Sequence, residues 1–340
     1  MRKKLLSAAL IAGMMLSLSS CAKKSQEVIS DMAGSDDTLT VYAWDDNFNI
    51  PALKAAEKDY KQVNPNFELN IVNMGNSDAI EDAVEDAYKA KDFSSLPDIV
   101  LFQDHSIQKY VKAYSGSFMS VEDAIVDWDN LGSDKVSYSV VNGVHYGFPV
   151  DSGTTIFAYR VDVLKECGYT LEDVTDITWK EFDEIGKDVY QKTGKYLISA
   201  IGKDNDLIYM MLQAEGESQF RSGSPFIVGN EKLKEVVETI VQLANDNVLY
   251  LAEDWDDYVD NAIGNDMVAG VYDGNWIISS IQQVKANSGK WEITYAPTFT
   301  GIPGYASNGG SSLRVTSNCK NSMLAKDFLA YTFGGGSAID

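Results

Sequence analysis

Three short polar clusters directly follow apolar, strand-like runs in this sequence. Trp44-Asp45-Asp46 follows Thr38–Ala43, Gln103-Asp104-His105 follows Ile99–Phe102, and Asp151-Ser152-Gly153 follows Phe148-Pro149-Val150. In open α/β sheets, ligands bind just outside the carboxyl ends of the strands. Carboxylates and amides at such positions suit a hydroxyl-rich ligand, because each hydroxyl donates and accepts at once. The apolar C–H face of a pyranose packs on an aromatic ring, and Trp44, Trp276 and Tyr209 are the rings best placed for this. Each residue has a plainer use. Asp46 fits a helix N-cap, Trp276 in Asp273-Gly274-Asn275-Trp276 fits core packing, and Gly309-Gly310 fits a simple turn. A glycoside hydrolase would need two facing carboxyls roughly 5–9.5 Å apart, one with a raised pKa; Asp104 and Asp151 are the pair to weigh for it.

Other chemistry finds little support. The two histidines, His105 and His145, are not at metal-ligand spacing, so no metal and no cofactor is expected. Cys167 and Cys319 lie far apart and read as free, buried thiols. The chain has 340 residues with 45% hydrophobic and 23% charged, an ordinary globular composition. Its length corresponds to about two domains. The formal net charge of -22 opposes binding to nucleic acid or anionic lipid and favours a neutral or cationic ligand. A polyamine, metal chelate or peptide is the non-sugar alternative, and the acidic surface suits the polyamine.

The elements that would position these residues alternate strand and helix. Thr38–Trp44 alternates as a strand, and Pro51 opens a helix with Leu53, Ala56, Tyr60 and Val63 on one face. Phe67, Leu69 and Ile71 form a second strand, and Ile80, Ala83, Val84 and Ala87 mark the next helix. Ile99–Phe102 is a continuous apolar run typical of a buried parallel strand. The order is βαβαβ, which implies a parallel sheet covered by helices. A second set starts after residue 150, with a strand at Ile156–Tyr159. Thr178-Trp179-Lys180-Glu181 is a capping box ahead of Phe182, Ile185 and Val189. Leu233, Val236, Val237, Ile240 and Ala244 give another amphipathic helix. Strands are expected at Met267–Tyr272 and Ile293–Ala296, and a helix at Ala325–Thr332.

The N-terminus carries an address. Arg2, Lys3 and Lys4 precede an apolar run, Leu5–Leu18, too short to span a bilayer and typical of a secretory signal. Leu18-Ser19-Ser20-Cys21 resembles a bacterial lipobox. The resemblance implies a signal peptide over 1–20, cleavage before Cys21, and a diacylglycerol on its sulfur. Two acyl chains suffice for stable anchoring. Residues 21–37, small, polar and acidic after the cysteine, read as a flexible tether.

Taken in order, several stretches are similar to the family-1 extracellular solute-binding proteins, the group containing maltose-binding protein. They are Leu39-Thr-Val-Tyr-Ala-Trp44, Leu96-Pro-Asp-Ile-Val-Leu-Phe102, Tyr146-Gly-Phe-Pro-Val-Asp151, Phe157-Ala-Tyr159, Met267-Val-Ala-Gly-Val-Tyr-Asp-Gly-Asn-Trp276, Ala296-Pro-Thr-Phe299, Asn308-Gly-Gly-Ser-Ser312 and Ala325-Lys-Asp-Phe-Leu329. The resemblance implies a type II, two-lobed α/β fold of the periplasmic-binding-protein kind, with the ligand in a cleft between lobes. It assigns 38–149 with 298–332 to lobe 1 and 153–295 to lobe 2, with crossings near 148–153 and 295–299. It implies a non-catalytic carbohydrate receptor, monomeric, serving the permease of an ABC importer. In its terms Trp276 is a stacking ring, Asp151 an acid at the hinge, and Asp206 and Tyr209 an acid and aromatic of the second lobe. Trp44, Asp45, Asp46, Gln103, Asp104, Asn308, Gly309 and Gly310 complete the expected site. Family members continue past this length, cross a third time and finish the second lobe with helices. By that pattern the chain is a fragment or has an incomplete second lobe at Asp340.

Overall fold

A computed structural model describes residues 37–335. Strand β1 (Thr38–Ala43) buries Leu39, Val41 and Ala43 on one face, as its alternation requires. Helix α1 (Asn49–Tyr60) buries Ile50, Leu53, Ala56 and Tyr60 at helical spacing. Strand β2 (Glu68–Asn73) returns parallel to β1, in register Thr38 to Glu68. Helix α2 (Ser77–Ala90) is capped by the Asn76 side chain, which accepts from the Ala79 N–H. Strand β3 (Ile99–Gln103) pairs in parallel with the other edge of β1, and Ile99–Phe102 are all buried. Helix α3 (Asp104–Ala113), helix α4 (Ser133–Tyr138) and a small hairpin, β4 (Val140–Val141) with β5 (Val144–His145), lead to β6 (Phe148–Asp151).

Strand β7 (Thr155–Arg160) begins the second half, followed by α5 (Val161–Cys167) and α6 (Trp179–Thr193). The capping box at α6 is formed in both directions between Thr178 and Glu181. Next come β8 (Ile198–Ile201), α7 (Asp206–Ala214), the hairpin of β9 (Phe220–Arg221) and β10 (Ser224–Pro225), and α8 (Glu231–Asn245). Strand β11 (Leu249–Ala252), a π-helical segment at Asp257–Gly264, β12 (Gly270–Gly274), α9 (Ile277–Gln283) and β13 (Trp291–Thr294) complete this half. The chain then goes back through β14 (Ser311–Val315) to α10 (Ser322–Phe333). The strands expected at 267–272 and 293–296 form at Gly270–Gly274 and Trp291–Thr294, where β7 offers partners.

The first sheet runs β2-β1-β3-β14-β6, parallel through β3 and antiparallel beyond it. The second has β12-β7-β13 joined to β11-β8 through a parallel bridge between Tyr196 and Val268. Its order is therefore β11-β8-β12-β7-β13, with the same change from parallel to antiparallel pairing. Each sheet has its own core. Around the first, Phe328 of α10 packs on Tyr60 and Phe67 with ring centroids 5.3 and 4.8 Å apart. Around the second, Phe157, Tyr159, Phe182, Leu197 and Tyr272 are buried together. Two α/β lobes result. Pro149 lies in β6 at the edge of its sheet, where a missing N–H is tolerated.

The return to the first lobe differs from the expected crossing at 295–299. Ala296, Phe299 and Ala306 pack against the second core, and Thr298 bridges to Thr178. Ala296, Phe299 and Ala306 hold this stretch to the second lobe, so the chain crosses only from Ser307 onward. Cys167 and Cys319 are free and buried. No helix among the described residues is long and apolar enough to cross a membrane. The signal peptide, Cys21 and all but the last residue of the tether lie outside the described residues.

Candidate ligand-binding site

Two antiparallel segments join the lobes. Asp151 pairs with Ser311, and Thr154 bridges to Ser307. The Thr155 N–H donates to the Ala306 carbonyl at 3.0 Å, and the Asn308 N–H to the Gly153 carbonyl at 2.7 Å. Gly153 has φ +61°, and a Cβ there would collide with the main chain of Asn308–Gly310. The returning chain therefore lies directly against this glycine.

Asn308 is the node of the site. Its buried side-chain amide donates to Asp273 Oδ1 at 2.8 Å and to Asp206 Oδ2 at 3.2 Å. Its carbonyl accepts the Trp276 Nε1–H at 2.9 Å. Three expected residues, Asp206, Trp276 and Asn308, are thus brought together. Asp273, which sequence reasoning did not select, is the fourth member. It is the penultimate residue of β12 and also accepts from the Tyr258 hydroxyl at 3.1 Å and the Gly274 N–H at 2.7 Å. Burial pushes its carboxyl up to about 7, with Asp206 adding to the rise and the Asn308 and Gly274 donors opposing it.

Gly309 and Gly310 have φ +80° and +96°. They carry the return chain between Trp276 and Asp104: a Cβ on Gly309 would lie 3.2 Å from Trp276 Nε1, and one on Gly310 would lie 2.7 Å from Asp104 Oδ2. Asp151 uses Oδ1 to accept from both the Ser311 N–H, at 2.9 Å, and the Ser311 hydroxyl, at 2.6 Å. This carboxylate therefore ties β6 to β14 at the crossing.

Asp104 faces inward. It is buried, ion-paired to Lys135, and accepts from the Ser312 hydroxyl at 2.8 Å. Its own N–H donates to the Gly310 carbonyl at 2.9 Å. Lys135 Nζ also donates to the Ser311 carbonyl at 2.6 Å. Burial raises the Asp104 carboxyl, with Lys135 and Ser312 pulling the other way. Below it the fully buried Arg314 donates to the Tyr146 carbonyl at 2.9 Å and Ser139 Oγ at 3.1 Å, and burial lowers its guanidinium to about 9. Expected as a ligand contact, Asp104 instead spends its oxygens inside the first lobe.

The cluster at the end of β1 is separate. Asp45 Oδ1 accepts from the Asn47 and Phe48 N–H groups at 2.8 and 3.2 Å, fixing the entry to α1 at φ +65°. Asp46, expected as a helix N-cap, is exposed; the N-cap position is Phe48, without a side-chain cap, and Asp45 fixes the turn before it. Trp44 is half-buried against both apolar clusters of the first lobe, and Gln103 ends β3 opposite Ser311. Among the described residues, no hydrogen bond or ring contact links Trp44, Asp45, Asp46 or Gln103 to the Asn308 node.

Open aromatic surface flanks the node. Tyr209 on α7 is 38% exposed and Tyr138 on α4 39% exposed. They belong to opposite lobes, yet burial and then the Tyr209 hydroxyl push the Tyr138 phenol up. Trp276 lies 5.6 Å, centroid to centroid, from Trp255. A cavity of about 400 Å³ lined by Thr178, Trp179, Leu243 and Phe299 is elsewhere, between α6 and α8 on the second lobe, and holds none of these residues. Among the described residues no group of His, Cys, Asp and Glu is arranged to hold a metal ion.

Two lobes joined by paired strands, with a ring and carboxylates gathered at the junction, define a two-lobed solute receptor. The chain belongs to the family described as bacterial extracellular solute-binding protein, whose sequence profile matches residues 55–337. It is 34% identical over 294 residues to the lactose-binding protein of Rhizobium radiobacter, covering 86% of this chain and 69% of the relative. It is 24% identical over 248 residues to an arabinooligosaccharide-binding protein of Bacillus subtilis (strain 168), covering 70% of this chain and 56% of that protein. Among solved structures, the ABC transporter associated binding protein from B. animalis subsp. lactis Bl-04, in complex with β-1,6-galactobiose, matches at TM-score 0.75 and 22% identity, over 89% of this chain and 73% of that one. The GacH receptor of Streptomyces glaucescens GLA.O matches at TM-score 0.75 and 17% identity, over 87% and 75%. Both share the two-lobed fold.

Proposed function

We propose that this protein captures a carbohydrate outside the cytoplasm and delivers it to the permease of an ABC importer. The observation that carries this reading is the Asn308 node, which locks an indole ring beside two carboxylates where the lobes join. A flat apolar face next to hydrogen-bond acceptors matches the two-sided character of a sugar ring. The 34% identity to a lactose-binding protein supports the same ligand class. The ligand bridges the lobes and favours the closed state by its higher affinity for that state.

In this reading residues 38–151 with 311–333 form the first lobe and 155–306 the second. The contacts come from Trp276, Asp206, Tyr209, Asp151 and Gly309 near the crossing, with Trp44, Asp46 and Gln103 from the first lobe. The protein acts as a monomer without a cofactor or nucleic acid. A lipid on Cys21 holds it to the outer face of the membrane. The role is binding and not hydrolysis, since Asp104, needed as half of a catalytic pair with Asp151, is committed to Lys135 and Ser312.

Thermal shift with galactose, lactose, β-1,6-galactobiose, arabinose oligomers and spermidine tests the ligand class. A ligand at a hundredfold excess over Kd stabilises by about 2.7 kcal/mol. A rise with one of the carbohydrates supports the reading. A rise with spermidine alone, or release of galactose from lactose, overturns it. For the anchor, Cys21→Ser should move the protein out of the membrane fraction or stop its maturation; unchanged anchoring removes the lipid from the account.

A further inference from the structure

Trp255 stands in the first helical turn, just ahead of the π-helical segment Asp257–Gly264. That turn is fixed from several sides. Asp254 Oδ1 accepts from the Asp257 N–H at 3.0 Å, and the Asp257 carboxylate accepts from the Glu253 N–H at 2.8 Å and the Tyr250 hydroxyl at 3.0 Å. The Trp255 ring stacks on buried Tyr258 with centroids 5.7 Å apart and planes 29° apart. It meets Trp276 at 5.6 Å and 47°. With such support the ring has little freedom to lose, yet it remains 39% exposed. Glu253, Asp254 and Asp256 around it are exposed too and supply acceptors for hydroxyl groups.

We infer that Trp255 is a second stacking platform beside Trp276 and that the ligand is a carbohydrate of at least two rings, bent at the linkage. The inference rests on the carbohydrate reading above. Two rings inclined at 47° form a shallow angled wall, and a single pyranose cannot lie flat on both planes at once. Adjacent sugar units joined at an angle can each take one plane. The immobilised indoles lower the ordering cost of binding, which is what makes a preorganised aromatic surface effective.

Calorimetric titration of the full chain with galactose, lactose, β-1,6-galactobiose and arabinose oligomers tests this, using wild type, Trp255→Ala and Trp255→Phe. The expected result is an affinity loss of about tenfold or more for the disaccharides or oligomers in Trp255→Ala. Galactose should bind both proteins alike or neither, and Trp255→Phe should recover most of the loss. Melting curves without sugar check that the variants fold, and a ring this exposed should be removable without unfolding the chain. Retained affinity for the longer sugars in Trp255→Ala, or an equal loss on galactose, overturns the second platform while leaving carbohydrate capture in place. Failure of wild type to bind any of the sugars overturns both.

Discussion

The only N–H of the Trp276 indole points at the main-chain carbonyl of Asn308, 2.9 Å away on the segment returning to the first lobe. Ring orientation is thereby tied to the path of the crossing chain. Trp276→Ala should weaken carbohydrate binding by about 1–3 kcal/mol, the scale of an aromatic anchor. Trp276→Phe keeps a ring but leaves the carbonyl unpaired, so a stability loss of about 1 kcal/mol should appear in urea unfolding. Full affinity in the alanine variant would show that the ring serves packing only.

The Asp273 carboxyl predicts a pH dependence. Its pKa is pushed up to about 7 in the folded chain, whereas an ordinary Asp titrates near 3.8. Between those values the folded state holds a proton that the unfolded state has released. Stability therefore falls as pH rises through that window, by at most about 1.4 kcal/mol per pH unit from this group, and levels off above it. Asp273→Asn keeps an acceptor for Asn308 and Gly274 and cannot ionise. Urea unfolding at several pH values from 4 to 8 should give a flatter profile in the variant. An identical slope in both proteins would show that Asp273 does not titrate there.

Asp151 separates structural from ligand roles. Asp151→Ala removes the acceptor for both Ser311 donors and should cost about 1–3 kcal/mol of stability. Asp151→Asn retains an oxygen and should melt close to wild type. A weaker sugar affinity in the asparagine variant would then report the charge acting on ligand. If the alanine variant is as stable as wild type, the tie between β6 and β14 contributes nothing.

Lys135 compensates Asp104 in a buried place. Lys135→Met should destabilise the chain by about 3–5 kcal/mol, because it leaves a buried carboxylate without its counter-charge. Adding Asp104→Asn to that variant should restore part of the loss, measured by denaturant unfolding. Additive losses would mean that the two side chains do not act as a pair.

Much of the first half was legible, because Leu39, Val41 and Ala43 alternate and Ile99–Phe102 is apolar throughout. The capping box at Thr178 and Glu181 needs only local information and formed as read. Strand β14 was not legible. Ser311, Ser312 and Arg314 are polar, and they are buried because Lys135, Asp104, Ser139 and the Tyr146 carbonyl satisfy them from far along the chain. Asp273 was hidden for a related reason, since Asp-Gly-Asn reads as a solvated turn until Asn308 arrives on the returning segment. Trp255 sat unnoticed in an acidic run, Glu253–Asp257, that resembles plain surface. Of the expected site, the Asn308, Trp276 and Asp206 grouping follows from motif order, while the inward turn of Asp104 depends on Lys135, which no local pattern announces.

Strand β14 fills the slot between β3 and β6, yet it is synthesised after every strand of the second lobe. Until Val315 leaves the ribosome, β3 and β6 both present open edges and the first core lacks Leu313, Val315 and the apolar face of α10. A nascent chain of this layout cannot close its first lobe early. Completion of that lobe waits on the last strand of the chain, a delay set by strand order alone.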